Sequence, residues 1–311
     1  MASHPLLKAF RASKPAFGAW ITLPGTFNAR TAALASPHLS WLVIDCEHGM
    51  TSLQPGAAES IQAIAGLGSD APSTIVRIPA TGACADGSAG WQVKYVLDAG
   101  ARGVLVPMVS TRAQATAVVA AARFPPAGIR GFGSPFTQTA WGISTAEYLT
   151  AANDGILVLV QIETRDGVQN LDQILEVEGL DGVFIGPYDL SLSLGYPAPS
   201  PDPHPEAERT IQDILKRAHA KGKKWYVTST RHRASTPART GSIMARRAMP
   251  RNNRVLSRIV QTQSTQSASR AKEGFDMINV SSDSGAMAEA LAQHLATAVG
   301  ETAAPKKEFR Y

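Results

Sequence analysis

Short apolar runs recur along the chain, separated by segments of helical period. The runs that read as strands are FGAWIT (17–22), WLVIDC (41–46), STIVRI (73–78), GVLVPMV (103–109), ILVLVQIE (156–163), DGVFIG (181–186), KKWYVT (223–228) and FDMINV (275–280). They are apolar nearly throughout rather than alternating, the pattern of parallel strands covered on both faces. Between them, TRAQATAVVAAARF (111–124) and EAERTIQDILKRAHAKGK (206–223) place apolar residues at helical spacing. Eight strands alternating with helices predict an α/β fold, a (β/α)8 barrel spanning residues 1–311 as one domain. A doubly wound open sheet is the other arrangement that this alternation allows.

Three stretches interrupt the alternation. RFPPAGIRGFGSPFTQTAWG (123–142) reads as a long Gly/Pro-rich loop of functional type, and GYPAPSPDPHP (195–205) as a proline-rich connector. The third, 229–270, is rich in Arg, Ser and Thr, contains no acidic residue and has weak periodicity, so it reads as a disordered insertion. Its length is out of keeping with the other connections, and two origins fit it: a real insertion, or a translated intron in a misjudged gene model.

Charge changes the picture only locally. The chain carries 30 basic and 25 acidic residues, a net charge of +5. Residues 231–270 hold nine of the arginines, and without them 21 basic residues face 25 acidic ones, a net of −4. Polyanion binding would therefore rest on that one segment, and nucleic acid is not an expected partner. Two cysteines, Cys46 and Cys84, imply no disulfide framework and point to a reducing compartment. The start MASHPLLKAFRASKPAFGAW lacks the apolar centre of a secretory signal. The longest apolar runs are strand-sized, well below the roughly 20 residues of a membrane span. A cytoplasmic protein without a membrane partner is expected.

In a (β/α)8 barrel the chemistry sits at the carboxyl ends of the strands. There the sequence places Asp45, Glu47 and His48 after strand two, Arg77 after strand three, Gln161 and Glu163 after strand five, Asp189 after strand six and Asp283 after strand eight. Two carboxylates at adjacent strand ends, Glu163 and Asp189, suit a hard divalent cation such as Mg²⁺ or Mn²⁺; each equally suits a helix N-cap or a rim ion pair. Asp45 stands close enough to His48 to orient its imidazole as a general base, though a structural histidine fits the same spacing. Arg77, emerging from an apolar strand, needs an anion, either a protein carboxylate or a substrate group. Gln161 shares the strand face of Glu163. LVLVQIET and GVFIGPYDL contain no lysine, so a Schiff-base mechanism lacks its nucleophile there.

Taken together, WLVIDCEHG, RIP, VLDAGARGVLVPMVSTRAQATAVVAAARFPPAGIRGFG and VQIETRDGVQNLDQILEVEGLDGVFIGPYDLSLSLGYP, in that order, resemble the HpcH/HpaI aldolase family. The likeness covers roughly 17–225 and resumes at AKEGFDMINVSSDSGAMAEAL. The resemblance implies a barrel of the phosphoenolpyruvate/pyruvate superfamily, a homo-oligomer (hexameric in the family, with an exchanged C-terminal helix), and a divalent metal cofactor, Mg²⁺, Mn²⁺ or Co²⁺. It implies a carbon–carbon lyase, a class II aldolase acting on a 4-hydroxy-2-oxo acid through a metal-stabilised pyruvate enolate. Oxaloacetate decarboxylation, or macrophomate-synthase-like chemistry, would use the same enolate. By the same resemblance Glu163 and Asp189 hold the metal, Arg77 stabilises the enolate, Asp45 and His48 form a base dyad, and Gln161, Gly186 and Pro187 touch substrate. The long segment after strand seven and APSPDPHP after GYP depart from the family pattern. A catalytically silent relative, using its arginine-rich segment as an interaction arm, is the reading from another class.

Overall fold

The computed structural model describes residues 3–79, 89–199, 203–227 and 263–300. Its eight strands are β1 (Ala16–Ile21), β2 (Trp41–Asp45), β3 (Ser73–Arg77), β4 (Gly103–Val106), β5 (Leu157–Gln161), β6 (Gly182–Ile185), β7 (Lys224–Val227) and β8 (Met277–Ser282). Each pairs in parallel with the next, and β8 returns to β1, so the sheet closes into a barrel. The open doubly wound sheet is thereby excluded.

Continuous apolar strands become two separate cores because side chains alternate across a strand. Leu42, Ile44, Val76, Val104, Val106, Val158, Val160, Val183 and Ile185 face outward into the layer of helices. Their neighbours Trp41, Val43, Ile75, Leu105, Leu157, Leu159, Phe184 and Met277 fill the barrel interior with Trp20. The amino-terminal helix Pro5–Arg11 adds Leu6, Leu7 and Phe10 to that inner core and so closes one end of the barrel. Continuing the inward alternation by one step beyond Val43, Ile75 and Leu159 reaches Asp45, Arg77 and Gln161. At the open end, polar groups replace the apolar filling.

The helices follow from local signals. Arg112–Ala122 starts on a capping box between Thr111 and Gln114, and Thr145–Gly155 on another between Ser144 and Glu147. Pro205–Ala220 opens with proline, carries Glu206 and Glu208 in its first turn and Arg217 and His219 in its last, and buries Ile211, Ile214, Leu215 and Ala218. Loop 123–142, expected as a functional loop after strand four, follows the helix Arg112–Ala122 and contains the short helix Thr137–Trp141. It is pinned by Arg130, which donates to Asp98 at 2.8 Å and to Tyr148 at 3.0 Å.

One correction concerns the segment read as disordered over 229–270. Residues 263–273 form a helix, Gln263–Glu273. Its Arg270 is buried and donates to both Glu208 oxygens, at 2.7 and 3.0 Å, and to Glu273 at 2.8 Å. Weak periodicity hid this helix, because a salt-bridge cluster rather than an apolar stripe attaches it to the barrel. The rest of that segment, 229–262, lies outside the described residues. Among the described residues no helix is long and apolar enough to cross a membrane.

Candidate active site at the carboxyl-terminal rim

Arg77 organises the rim. β2 and β3 pair with Asp45 opposite Arg77, so the two inward side chains meet at once. Arg77 Nε donates to Asp45 Oδ1 at 2.9 Å and Nη2 to Oδ2 at 2.6 Å, a bidentate fork. The guanidinium lies 4.4 Å above the Trp20 ring, which Phe184 meets edge-on at 5.7 Å, so an aromatic floor supports the cation from inside the barrel. Nη1 points away from Asp45, toward Glu47 Oε2 at 3.1 Å and Gln161 Oε1 at 3.4 Å.

Asp45 therefore serves a different partner from the one expected. Its carboxylate takes the Arg77 fork and also accepts the backbone N–H groups of Glu47 (3.1 Å) and His48 (3.2 Å). It fixes the turn that carries His48 but does not bond the imidazole. The ring, with 63% of its side-chain surface exposed, instead has Glu47 Oε2 3.5 Å from Nε2. Glu47, present in the DCEHG stretch but given no role by sequence reasoning, thus bridges Arg77 and His48. Nothing in that stretch said which of the two would turn inward.

Glu163 follows β5 and is buried. Gln161 Nε2 donates to its Oε2 at 2.7 Å, and the backbone N–H of Met108 to its Oε1 at 2.7 Å. Met108 adopts a left-handed φ of 58°, uncommon for a residue with a side chain, and this turns its N–H toward the carboxylate. Burial pushes the Glu163 pKa up to about 7, helped by the charges of Asp189 and Glu47 and opposed by the Met108 hydrogen bond and Arg77. Burial likewise raises Glu47, with Arg77 and His48 pulling the other way. Asp189 stands exposed in the first turn of the helix Pro187–Ser193, and no described side chain bonds its carboxylate. Gly186, between β6 and that helix, packs so close to Glu163 that a Cβ would overlap Oε2.

This donor set fits a hard cation. Each Glu163 oxygen accepts one hydrogen bond and retains a second lone pair. A buried carboxylate beside two others is costly unless a positive charge joins them. Among the described residues no group of three or more His, Cys, Asp and Glu side chains is arranged to hold a metal ion. A cation here would depend on Glu163, Asp189 and oxygens from substrate or water.

Other rim groups are structural. Asp283 accepts from Thr22 N, Thr22 Oγ1, Leu23 N and Asn28 Nδ2 at 2.7–3.1 Å, tying the end of β1 to β8. Burial pushes the Cys46 thiol up to about 12, which leaves it protonated and unreactive. Lys224 opens β7 at the opposite end of the barrel, 3.1 Å from Asp276.

Comparison with known proteins gives the family and the fold. The model of the family HpcH/HpaI aldolase/citrate lyase matches residues 19–241. The chain is 40% identical to the hydroxypyruvate/pyruvate aldolase of Agrobacterium fabrum (strain C58) over 186 residues, 60% of this chain and 65% of that one. It is 40% identical to a 4-hydroxy-2-oxo-heptane-1,7-dioate aldolase of Klebsiella pneumoniae over 219 residues, 69% of this chain and 76% of the relative. A crystal structure of a family protein from Burkholderia cenocepacia J2315 superposes with a TM-score of 0.73 at 26% identity, covering 94% of this chain and 98% of that one. The chain belongs to the HpcH/HpaI aldolase/citrate lyase family.

Proposed function

We propose that the protein is a metal-dependent aldolase that cleaves or forms the C3–C4 bond of a 4-hydroxy-2-oxo acid by way of a pyruvate enolate. The observation that carries this reading is the buried Glu163 carboxylate, flanked by the charges of Asp189 and Glu47 and lying beside an arginine whose Nη1 is turned into the same space. Its relatives bear aldolase names, and a carbon–carbon lyase is the activity that the family supports.

Glu163 and Asp189 would hold a divalent cation such as Mg²⁺, Mn²⁺ or Co²⁺. When bound, such an ion supplies Lewis-acid stabilisation of negative charge on substrate oxygen. Arg77, its plane set by Asp45 and Trp20, stabilises the enolate oxygen through Nη1. Gln161 orients Glu163 and stands, with the Gly186–Pro187 backbone, where the oxo acid would lie. His48 takes the C4 hydroxyl proton as the C3–C4 bond breaks. The bonding pair passes toward C2 to give the enolate, the aldehyde leaves, and a proton returned to C3 completes pyruvate.

One observation favours a second reaction at the same site. The His48 ring is exposed and receives no bond from Asp45, so the base is less constrained than the anion-binding groups. Decarboxylation of oxaloacetate needs the enolate but not that base. The test is pyruvate release, followed through a coupled assay, from a panel of 4-hydroxy-2-oxo acids and from oxaloacetate, with divalent metal and with EDTA. Metal-dependent release supports the proposal, and full activity in chelator contradicts it. His48→Ala should impair aldol cleavage more than decarboxylation; equal losses would remove the base role.

The reading extends to a homo-oligomer. On the helix Asp283–Ala298, Met287, Leu291 and Leu295 are each more than half exposed at four-residue spacing, and Val299 continues the stripe. Such a face suits burial against another copy.

A further inference from the structure

The amino-terminal end of the barrel, opposite the candidate active site, holds a cation without an acid. Arg102 precedes β4, with its backbone N–H bonded to Thr74 O at 2.8 Å. Its guanidinium stacks 4.0 Å over the Trp141 ring, and Trp141 is itself buried and fixed by a 3.1 Å bond from Nε1 to Gly100 O. Nη1 is buried and has no hydrogen-bond partner. Among the described residues no carboxylate pairs with Arg102. The other buried or half-buried arginines among the described residues are treated differently, since Arg77, Arg123, Arg130, Arg217 and Arg270 each bond Asp or Glu.

Arginine does not escape burial by losing its proton, so a desolvated guanidinium calls for an anion. Arg102 lines a cleft of about 20 Å³ together with His4, Gly68, Ser69, Ser73, Thr74 and Ala140. That is space for a single water-sized body. His4 adds no charge of its own, because burial and the neighbouring Arg102 hold its ring neutral; Nε2 bonds Gly155 O at 3.0 Å and Nδ1 bonds Ser73 Oγ at 2.6 Å, so both nitrogens are engaged. The cleft thus offers one fixed positive charge, serine and backbone dipoles, an aromatic wall and little volume.

We propose that this cleft is a binding site for a small monovalent anion, of the size and chemistry of chloride, held by Arg102 at the amino-terminal end of the barrel. Its role is to complete the charge balance where β4, the loop before β3 and the helix Thr137–Trp141 meet. It is independent of the chemistry at the other rim.

The test is thermal unfolding of the full chain in sodium chloride titrated against sodium gluconate at fixed ionic strength and fixed protein concentration. Wild type should show a saturating rise in Tm, and Arg102→Met should show none. Because that variant could fold poorly, chloride-35 NMR line broadening by the wild-type protein, displaced by bromide, provides a second reading. A Tm that ignores chloride together with an unbroadened resonance overturns the site. So does a Tm rise retained in full by a folded Arg102→Met.

Discussion

At the scale of single residues, the site works by restricting one arginine. Arg77 could swing freely at a strand end, but two hydrogen bonds to Asp45 and the Trp20 ring hold it with Nη1 turned toward Glu47 and Gln161, into the space where the proposed substrate oxygen would arrive. Lysine keeps the charge and loses the fork, so Arg77→Lys should lower kcat by roughly 10²-fold with a smaller change in KM, measured by pyruvate release. An unchanged kcat would remove Arg77 from transition-state stabilisation. His4 gives a stability prediction at the other end. Burial first, then the Arg102 charge, lowers its pKa from 6.5 to about 3 in the folded state. Between those values the unfolded chain binds a proton that the native chain refuses. Stability is therefore full above about pH 6.5 and is lost as pH falls toward about 3, by an amount on the order of a few kcal/mol. His4→Gln should flatten this acid limb in denaturant titrations; an unaltered slope contradicts the assignment. Single residues were also where sequence reading reached least far. Aspartate, glutamate and histidine crowd into DCEHG, and spacing together with the family resemblance paired Asp45 with His48, whereas the register of β2 against β3 sets it opposite Arg77.

At the scale of elements, strand ends and the turns after them carry the donors. The turn from β6 into Pro187–Ser193 passes Glu163 so closely that only glycine fits at 186. Gly186→Ala should displace the Glu163 carboxylate and weaken divalent-metal binding at least about tenfold, a loss of roughly 1.4 kcal/mol, read by calorimetric titration. Wild-type affinity in that variant would show the cradle to be incidental. The strands, and the helices within 111–124 and 206–223, were legible in advance because apolar runs and apolar residues at helical spacing declare them locally. The helix Gln263–Glu273 was not. Its attachment depends on Arg270 meeting Glu208, 62 positions away in the chain, and no local pattern announces such a pair.

At the scale of the whole molecule, closure of eight strands turns scattered motifs into one rim. Residues as distant as Asp45 and Glu163 come to share a site because β2 and β5 point the same way around one axis. That convergence was readable from the count and parallel character of the strands. The partners of each side chain were not, since they depend on register. The exposed stripe Met287, Leu291 and Leu295 belongs to this scale as well. Leu291→Glu combined with Leu295→Glu should shift the protein from oligomer to monomer in light-scattering chromatography. A monomeric wild type would refute the oligomer reading.

The proposed function rests on Glu163 and Asp189 holding a divalent cation for an enolate-forming lyase. Its most direct test is titration with Mn²⁺ followed by electron paramagnetic resonance, in wild type and in Glu163→Gln, with circular dichroism to confirm that both are folded. One Mn²⁺ per chain is expected in wild type, and in the folded variant binding weakened about a hundredfold with loss of pyruvate release. Equal Mn²⁺ affinity in the two proteins would contradict it.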